Sequence, residues 1–501
     1  MKRTTLSLIA GTTALAAVTG FAALTQPTAS GASTAAKAAA VLPVERAGLL
    51  CPAPSTSDLA ETTYTSFTPV TKGTKSDGTA EMLPAAGKTA EAGTAGGAGK
   101  KKAPAKPVLT PKAPGTPAAG DTSGGASPAL IGTAEGRFAP GWTLQETTEV
   151  SAGTGRGLLG VNCTAPDTDF WFPGVSTAAD RTDYLHLTNP DDSAAVADIE
   201  LYDKDGPVAT PAGNDFTVPA GSSKPILLST LTGEKQDDLT VHVNVRSGRV
   251  GAAVQALDDK LGGDWLAAST DPAGSLVLPG IPKDATAVRL VAFTPADSDA
   301  DLKVQLASPS GLITPAGKET LHVKAGTTTA LDLGDVTRGE AGSLVLTPTD
   351  QSVPVVAAVR VMRGKDDKQE SAYLPATSPV GPRASAVANT AKGTTLSLTA
   401  PTGTAQVKVT ASAGSEGGTP ASQTYTIKAG TTQDVRLPVP AGLKGTYALT
   451  VEPLTATPVY ASRTLTASID GLPGFTIQPL PSDRGTVAVP RTEEDMTVLQ
   501  R

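Results

Sequence analysis

The chain has 501 residues, 39% of them hydrophobic, so it is long enough for three or four domains with packed cores and is not disordered throughout. Aromatic residues make up only 4% while Gly (52) and Pro (41) are plentiful, which favours short strands and turns over long helices. The formal net charge of −7, or −9 without Lys2 and Arg3, excludes a general electrostatic attraction to nucleic acid.

The N-terminus has the pattern of an export signal. Lys2 and Arg3 precede an uncharged run from Thr4 to Leu24, and small residues follow up to Ala32. We therefore predict a signal peptide over residues 1–32. The alternative is an uncleaved anchor, because the run of about 20 residues could just span a bilayer. With no second apolar run, cleavage would leave no membrane span and place the protein outside the cytoplasm, secreted or associated with the cell envelope.

Residues 41–175 are predicted to form a divergent first β module. Its middle, residues 72–130, contains few large apolar side chains and no period of two or 3.6, which predicts a disordered insertion. The lysines at 100–102 could contact anionic cell-wall polymers. The alternative reading of this segment is a solvated spacer.

The two cysteines of the chain, Cys51 and Cys163, both lie in this first module. An exported monomer with two cysteines has one possible pairing, so we predict a disulfide that joins the two halves of the split module. A reactive thiol pair is the alternative. The acidic neighbours Asp167 and Asp169 argue against it, because they would disfavour a thiolate at Cys163.

Beyond residue 175 the sequence repeats. Gly221, Gly326 and Gly430 occupy the same place in three similar segments and lie 105 and 104 residues apart. A valine landmark, Val250, Val355 and Val459, keeps the same two spacings. A constant period at two landmarks indicates tandem modules.

Within each repeat the strands show period-two alternation. Leu239, Val241, Val243 and Val245 alternate with polar residues before a turn at Ser247–Gly248. Short strands of this kind predict an all-β fold of tandem immunoglobulin-like antiparallel β-sandwiches. We place the modules at 176–282, 283–388 and 389–490, with a C-terminal tail at 491–501.

An aromatic-led strand is predicted to end each module, with Trp265, Tyr373 and Phe475 in the three repeats. The segment "GRGLLGVNCTAPDTDFWFPG" (155–174), which contains Trp171, would take this place in the first module. Such rings would cap a core or pack on the next module. In the alternative reading, Trp142, Trp171 and Trp265 face solvent and stack on glycans.

The segments "GLLCPAP" (48–54) and "GLLGVNCTAPDTDFWFPG" (157–174), followed by "LHLTNPDDSAAVADIELYDKDGPV", resemble a family of secreted actinobacterial proteins described only as a domain of unknown function. The resemblance covers most of the mature chain. It implies the extracytoplasmic compartment and the paired cysteines, and no activity.

Residues suited to catalysis or metal binding are sparse. His186, His242 and His322 each alternate with aliphatic residues and are expected to face solvent. Asp297, Asp299 and Asp301 resemble part of a calcium loop, but the expected glycine and bidentate glutamate are absent, which favours a solvated turn. We predict no catalytic residues, no metal and no cofactor.

The sequence thus predicts an exported, non-enzymatic protein of the envelope or extracellular space, acting as a structural, spacer or interaction scaffold. Its expected partners are cell-wall polymers or other envelope proteins. The alternative function is a carbohydrate- or peptidoglycan-binding protein that uses exposed tryptophans.

Overall fold

The computed structural model describes residues 39–86 and 105–489. The predicted signal peptide, residues 87–104 of the predicted insertion and the predicted tail lie outside the described residues. The chain divides into two compact units, Met1–Leu42 with Ala488–Arg501, and Pro43–Val487. Of the first unit, the described residues belong mainly to β1 (Ala40–Pro43) and to the end of the last strand.

The second unit is built from antiparallel strands, and its first module holds β2 to β8. These strands are β2 (Arg46–Cys51), β3 (Ala60–Phe67), β4 (Ala80–Pro84), β5 (Ala118–Ser123), β6 (Leu130–Glu135), β7 (Thr143–Val150) and β8 (Gly157–Asn162). One sheet has the order β2-β6-β4 and the other β5-β3-β7-β8.

The second module holds β9 to β17. These are β9 (Asp169–Val175), β10 (Arg181–Thr188), β11 (Ala195–Asp203), β12 (Gly206–Val208), β13 (Phe216–Val218), β14 (Ser223–Leu227), β15 (Leu239–Ser247), β16 (Gly251–Asp258) and β17 (Gly262–Leu266). Its sheets have the orders β14-β10-β16-β17 and β12-β11-β15-β9, with β13 also paired to β11.

The third module repeats this plan with β18 to β26. These are β18 (Leu276–Ile281), β19 (Ala285–Phe293), β20 (Ala300–Ser308), β21 (Gly311–Ile313), β22 (Thr320–Val323), β23 (Thr328–Gly334), β24 (Gly342–Pro348), β25 (Val356–Arg363) and β26 (Glu370–Pro375). Its sheets are β23-β19-β25-β26 and β18-β24-β20-β21, with β22 paired to β20.

The fourth module holds β27 to β36, and β37 (Thr486–Val489) follows it. The strands are β27 (Ala384–Asn389), β28 (Thr394–Ala400), β29 (Ala405–Gly414), β30 (Gly417–Thr419), β31 (Ala421–Ile427), β32 (Thr431–Val435), β33 (Ala441–Lys444), β34 (Tyr447–Pro453), β35 (Tyr460–Ile469) and β36 (Leu472–Pro479). The sheets are β32-β28-β35-β36 and β27-β34-β29-β30-β33, with β31 paired to β29.

The predicted all-β class is therefore confirmed, with paired antiparallel sheets that form β-sandwich modules. Helical structure in the described ranges consists of three short 3₁₀ turns, Gly136–Phe138, Leu228–Thr230 and Asp366–Lys368. The immunoglobulin-like classification stays a prediction. No helix in these ranges is long and apolar enough to cross a membrane.

The period-two pattern explains the cores. In β11, every second residue from Ala195 to Asp203 is buried, and Val241 and Val243 of β15 lie against the same interior. Alternation places the apolar residues of both sheets between them and leaves the polar residues outside.

The observed module boundaries differ from the predicted ones. Strand β9, with Trp171, pairs with β15 of the second module, so this module begins near residue 169 and not 176. In the same way β18 pairs with β24 and β27 pairs with β34. Each first strand was assigned to the preceding module because a strand and its turns are local signals, whereas its pairing partner lies some 60 to 70 residues away.

The predicted disorder of residues 72–130 is wrong at both ends of that segment. Strand β4 buries Ala80 and Met82 and pairs with β6. Strand β5, sequence AAGDTS, lies at a sheet edge and pairs with β3 from Ser66 to Glu61. An edge strand can be held by the backbone ladder without a buried face of its own, so its composition carries no apolar pattern.

Candidate functional site

The predicted disulfide is confirmed. Cys51 ends β2 and Cys163 follows β8, with Cα atoms 4.5 Å apart and a sequence separation of 112. Both cysteines are buried, and paired backbone hydrogen bonds join Leu50 and Thr164 beside them. The bond thus connects the two sheets of the first module, which is the scaffolding role expected from the sequence.

The three tryptophans proposed for glycan stacking lie in the interior. Trp142, Trp171 and Trp265 are only 4%, 7% and 2% exposed. Trp142 packs in the core of the first module and its Nε1 donates to Ser66 Oγ at 2.8 Å. A ring that stacks on a sugar must present a face to solvent, so this geometry does not support the exposed-tryptophan alternative.

Trp171 lies at the boundary between the second and third modules. It packs against Phe293 and Val356 of the third module. On its other side the ring stacks on His242 with a centroid separation of 3.7 Å. Packing on the next module is the structural role predicted for this residue, although Trp171 belongs to the first strand of its module and not to the last.

His242 is partly covered and bridges two carboxylates. Its Nδ1 lies 2.9 Å from Glu200 Oε2 and its Nε2 lies 2.7 Å from Asp169 Oδ1. His322 is exposed as expected and pairs with Asp301 at 2.8 Å.

His186 does not face solvent as predicted. It is 3% exposed, its ring lies 5.1 Å from that of Trp265, and burial lowers its pKa to about 3. As the period-two alternation of β10 predicts, the His186 side chain lies on the face of the strand that is turned away from the core of the second module. The first module covers that face, and the wall around His186 includes Leu50 and Val161.

The predicted solvated turn at 297–301 lies between β19 and β20, where Asp297 and Asp299 are exposed. Asp299 Oδ1 accepts a hydrogen bond from Ala325 N–H at 2.8 Å. Within residues 39–86 and 105–489, no group of three or more His, Cys, Asp and Glu side chains is placed to hold a metal ion.

The last strands of the four modules meet in a ring that sequence analysis did not predict. Strand β8 contacts β17 and β36, and β26 contacts the same two strands, so the four strands close a circuit. We call this circuit the hub. It brings the first module against the fourth, which are far apart in the chain.

Apolar side chains of the hub strands join each module to its neighbour. Trp265 packs with Leu159 and Val161 of the first module. Tyr373 lies in the core of the second module and Phe475 in that of the third. Leu158 closes the circuit by packing on Leu465 and Ile469 of the fourth. The aromatic-led last strands predicted from sequence therefore pack on the preceding module.

The carboxyl group of Asp264 lies at the centre of the hub and is fully buried. Burial raises its pKa well above the usual value. Nearby groups of Gly160, Trp265, Tyr373 and Thr476, one residue from each module, oppose that shift. The Gly160 N–H lies 3.0 Å from Asp264 Oδ1. The carboxyl group thus lies where the four modules meet, and its other oxygen, Oδ2, accepts no hydrogen bond from the described residues.

A second carboxyl group, that of Glu370, lies at the N-terminal end of β26. It is 2% exposed, and burial raises its pKa to about 7 although Arg156 opposes the shift. Glu370 Oε1 lies 3.4 Å from Arg156 Nη2. A Cβ atom at Gly157 or Gly262 would lie 2.5 Å from Glu370 Oε2, so only glycine leaves room for this carboxyl between the first two modules.

A cleft of about 490 Å³ opens beside Glu370, where turns from three modules converge. It is lined by Arg156, Asp180, Asp258, Lys260, Leu261, Asp366 and Gln369. Three of these residues are close to Glu370. Gln369 precedes it in sequence and Arg156 forms an ion pair with it, while Leu261 precedes Gly262, which lies against its carboxyl group. Glu370 therefore adjoins the cleft without being one of its lining residues.

A family model described as a family of unknown function, DUF5719, matches residues 118–438, more than half of the chain. The chain belongs to this family. The DUF5719 match runs from the first residue of β5 to just beyond β32, so it includes the hub strands β8, β17 and β26 but not β36 or Cys51. No curated protein and no solved structure matches the chain.

Membership of DUF5719 confirms the resemblance to a domain of unknown function. The secreted and actinobacterial aspects of that resemblance stay predictions. The hub and the cleft were not predicted because they arise from residues in four modules, and the only sequence signal for them was the recurring aromatic-led last strand.

Proposed function

We propose that the protein is exported and acts outside the cytoplasm as a non-enzymatic scaffold that presents its four β-sandwich modules in a fixed arrangement. The observation that carries this proposal is the hub, because it closes the first module on the fourth and leaves no chain of freely hinged domains. Interfaces between modules that are large and apolar restrict relative motion.

The disulfide supports the proposed compartment. Cys51 and Cys163 are bonded, and such bonds persist in oxidising compartments. The pattern at the N-terminus adds a predicted signal peptide over residues 1–32. A structural bond across a loop of this length is of use only where the thiols stay oxidised.

The non-enzymatic role is supported by the location of the ionisable side chains whose pKa values are strongly shifted. Glu146, His186 and Asp264 have strongly shifted pKa values caused mainly by burial, and each is closed off from solvent within a module or between modules. A catalytic acid or base must reach its substrate, so these shifts are better explained by packing.

The proposed partners are cell-wall polymers or other envelope proteins. To test this, residues 33–501 are immobilised and used to capture binding components from an extract of the cell envelope. We expect the wild-type protein to be recovered outside the cytoplasm with oxidised cysteines and to retain specific components. Gly160→Val is the comparison variant, because a Cβ there would lie 2.6 Å from Thr476 Cγ2 and disturb the hub.

Capture should fall for Gly160→Val, whereas the surface variant Lys235→Met should behave as wild type. Recovery of the natural protein in the cytoplasm with two free thiols would refute export. Equal capture by Gly160→Val and wild type, with the hub shown to be open by small-angle scattering, would refute the fixed-scaffold role.

A further inference from the structure

The cleft beside Glu370 has the size and position of a small-ligand site. Its volume of about 490 Å³ lies within the usual range for such sites, and it lies where modules meet. Its lining is polar or charged apart from Leu261, and it contains no aromatic ring. These features disfavour a lipid or a sugar held by stacking and favour a charged ligand.

Charges of both signs line the cleft, and several are not used by the fold. Asp258 is occupied, because it pairs with Arg360 at 2.7 Å and accepts hydrogen bonds from the N–H groups of Lys260 and Leu261. The side chains of Asp180, Lys260 and Asp366, by contrast, have no hydrogen-bond or ion-pair partner among the described residues.

The buried Glu370 adjoins two lining residues of the cleft, Arg156 and Gln369. Its side chain is 3% exposed, and its Oε1 accepts no hydrogen bond within the part of the chain that the structure describes. Arg156 lies 3.4 Å away on the cleft side.

A metal ion is not the expected ligand, since the described carboxylates are not grouped closely enough to coordinate one. An amino group needs only separate acceptors, and a carboxylate needs a cation such as Lys260. We propose that the cleft binds a small zwitterionic ligand of the peptide type, with its carboxylate on Lys260 and its amino group on Asp180 and Asp366.

The test is calorimetric titration of the full chain with trialanine, a zwitterion about 10 Å long. N-acetyl-trialanine amide, which has the same backbone without either charge, is the matched probe. We expect trialanine to bind with a Kd of about 1 mM or below, more weakly at high salt, and the blocked peptide not to bind.

Lys260→Met and Asp366→Asn should each weaken trialanine binding about tenfold, because each removes one charge-assisted hydrogen bond. Lys235→Met and Asp192→Asn are controls, since both residues are exposed in the same module and away from the cleft lining. Unchanged thermal unfolding of all four variants would show that they are folded.

The proposal is overturned if trialanine at about 10 mM gives no binding heat, or if the blocked peptide binds equally well. It is also overturned if the two control variants weaken binding as much as the cleft variants. Because none of these measurements depends on export or on capture of envelope components, failure here is distinct from failure of the proposed scaffold.

Discussion

The first and third modules each supply one strand to the hub, but their sheets and cores are built differently. The third module has a five-stranded outer sheet and a continuous aliphatic core that includes Leu290, Val304 and Leu344. The first has a three-stranded outer sheet, and its smaller core combines the disulfide with Met82 and Trp142. Both nevertheless supply one strand to the same circuit.

The interior of the first module is also more polar. Glu146 of β7 is fully buried opposite Tyr64 of β3, and burial raises the pKa of Glu146 well above its usual value. Burying a polar group that lacks full hydrogen bonding is unfavourable. We therefore expect the disulfide to contribute much of the stability of this small, partly polar core.

The largest effect is expected from removing that bond. Replacing Cys51 and Cys163 by serine should destabilise the first module by up to roughly 5 kcal/mol, because the bond closes a long loop in the unfolded chain. Thermal unfolding should then begin with a separate early transition. Reductant should have no further effect on the double variant, and an unchanged Tm would contradict the stapling role.

A comparable test addresses the contact between the first two modules. Trp265→Ala should lower the free energy of unfolding by about 3–5 kcal/mol, since it empties a site filled against Leu159 and Val161. Urea unfolding followed by circular dichroism measures it. Trp265→Phe keeps most of the contact, so its free energy of unfolding should fall clearly less. If both variants lose the same free energy, the ring does not join the modules.

A smaller, pH-dependent effect is expected at His186. Its pKa of about 3 in the folded state lies below the unfolded value of about 6.5, so protonation favours unfolding. The free energy of unfolding should fall by a few kcal/mol as pH decreases from about 6.5 to 3.

In His186→Gln this acid-dependent part should be absent, as measured by urea titrations at several pH values. The exposed His322→Gln is the control and should keep the wild-type slope. A wild-type slope in His186→Gln would mean that other groups cause the loss of stability in acid.

The smallest effect concerns Glu370. Its folded pKa of about 7 lies above the unfolded value of about 4.3, so the protonated form favours the fold. This stabilisation is fully present below the unfolded pKa and is lost as pH rises through about 7.

Glu370→Gln should remove this loss, because glutamine does not ionise. Between pH 4 and pH 8 the free energy of unfolding of the variant should therefore gain about 1–2 kcal/mol relative to that of the wild type. Differential unfolding at the two pH values checks it. Wild-type behaviour of Glu370→Gln would show that the carboxyl is ionised at the junction of the modules throughout this range.

Particular residues show how far sequence reasoning reaches. The disulfide was predictable because two cysteines allow one intramolecular pairing. The last-strand aromatics were recognisable at a constant period, yet their packing on the preceding module was not. The burial of His186 was missed because alternation predicts only which face of a strand a residue occupies, and another module covers that face.

The sequence alone determined the all-β class, the repeat of about 105 residues and the bond between Cys51 and Cys163, because each follows from local periodicity, a fixed spacing or the count of one residue type. Only the tertiary structure decided that β8, β17, β26 and β36 meet in one circuit, that Asp264 lies at its centre and that a cleft opens beside Glu370. These features depend on contacts between segments hundreds of residues apart, and no local pattern in the chain records where such segments meet.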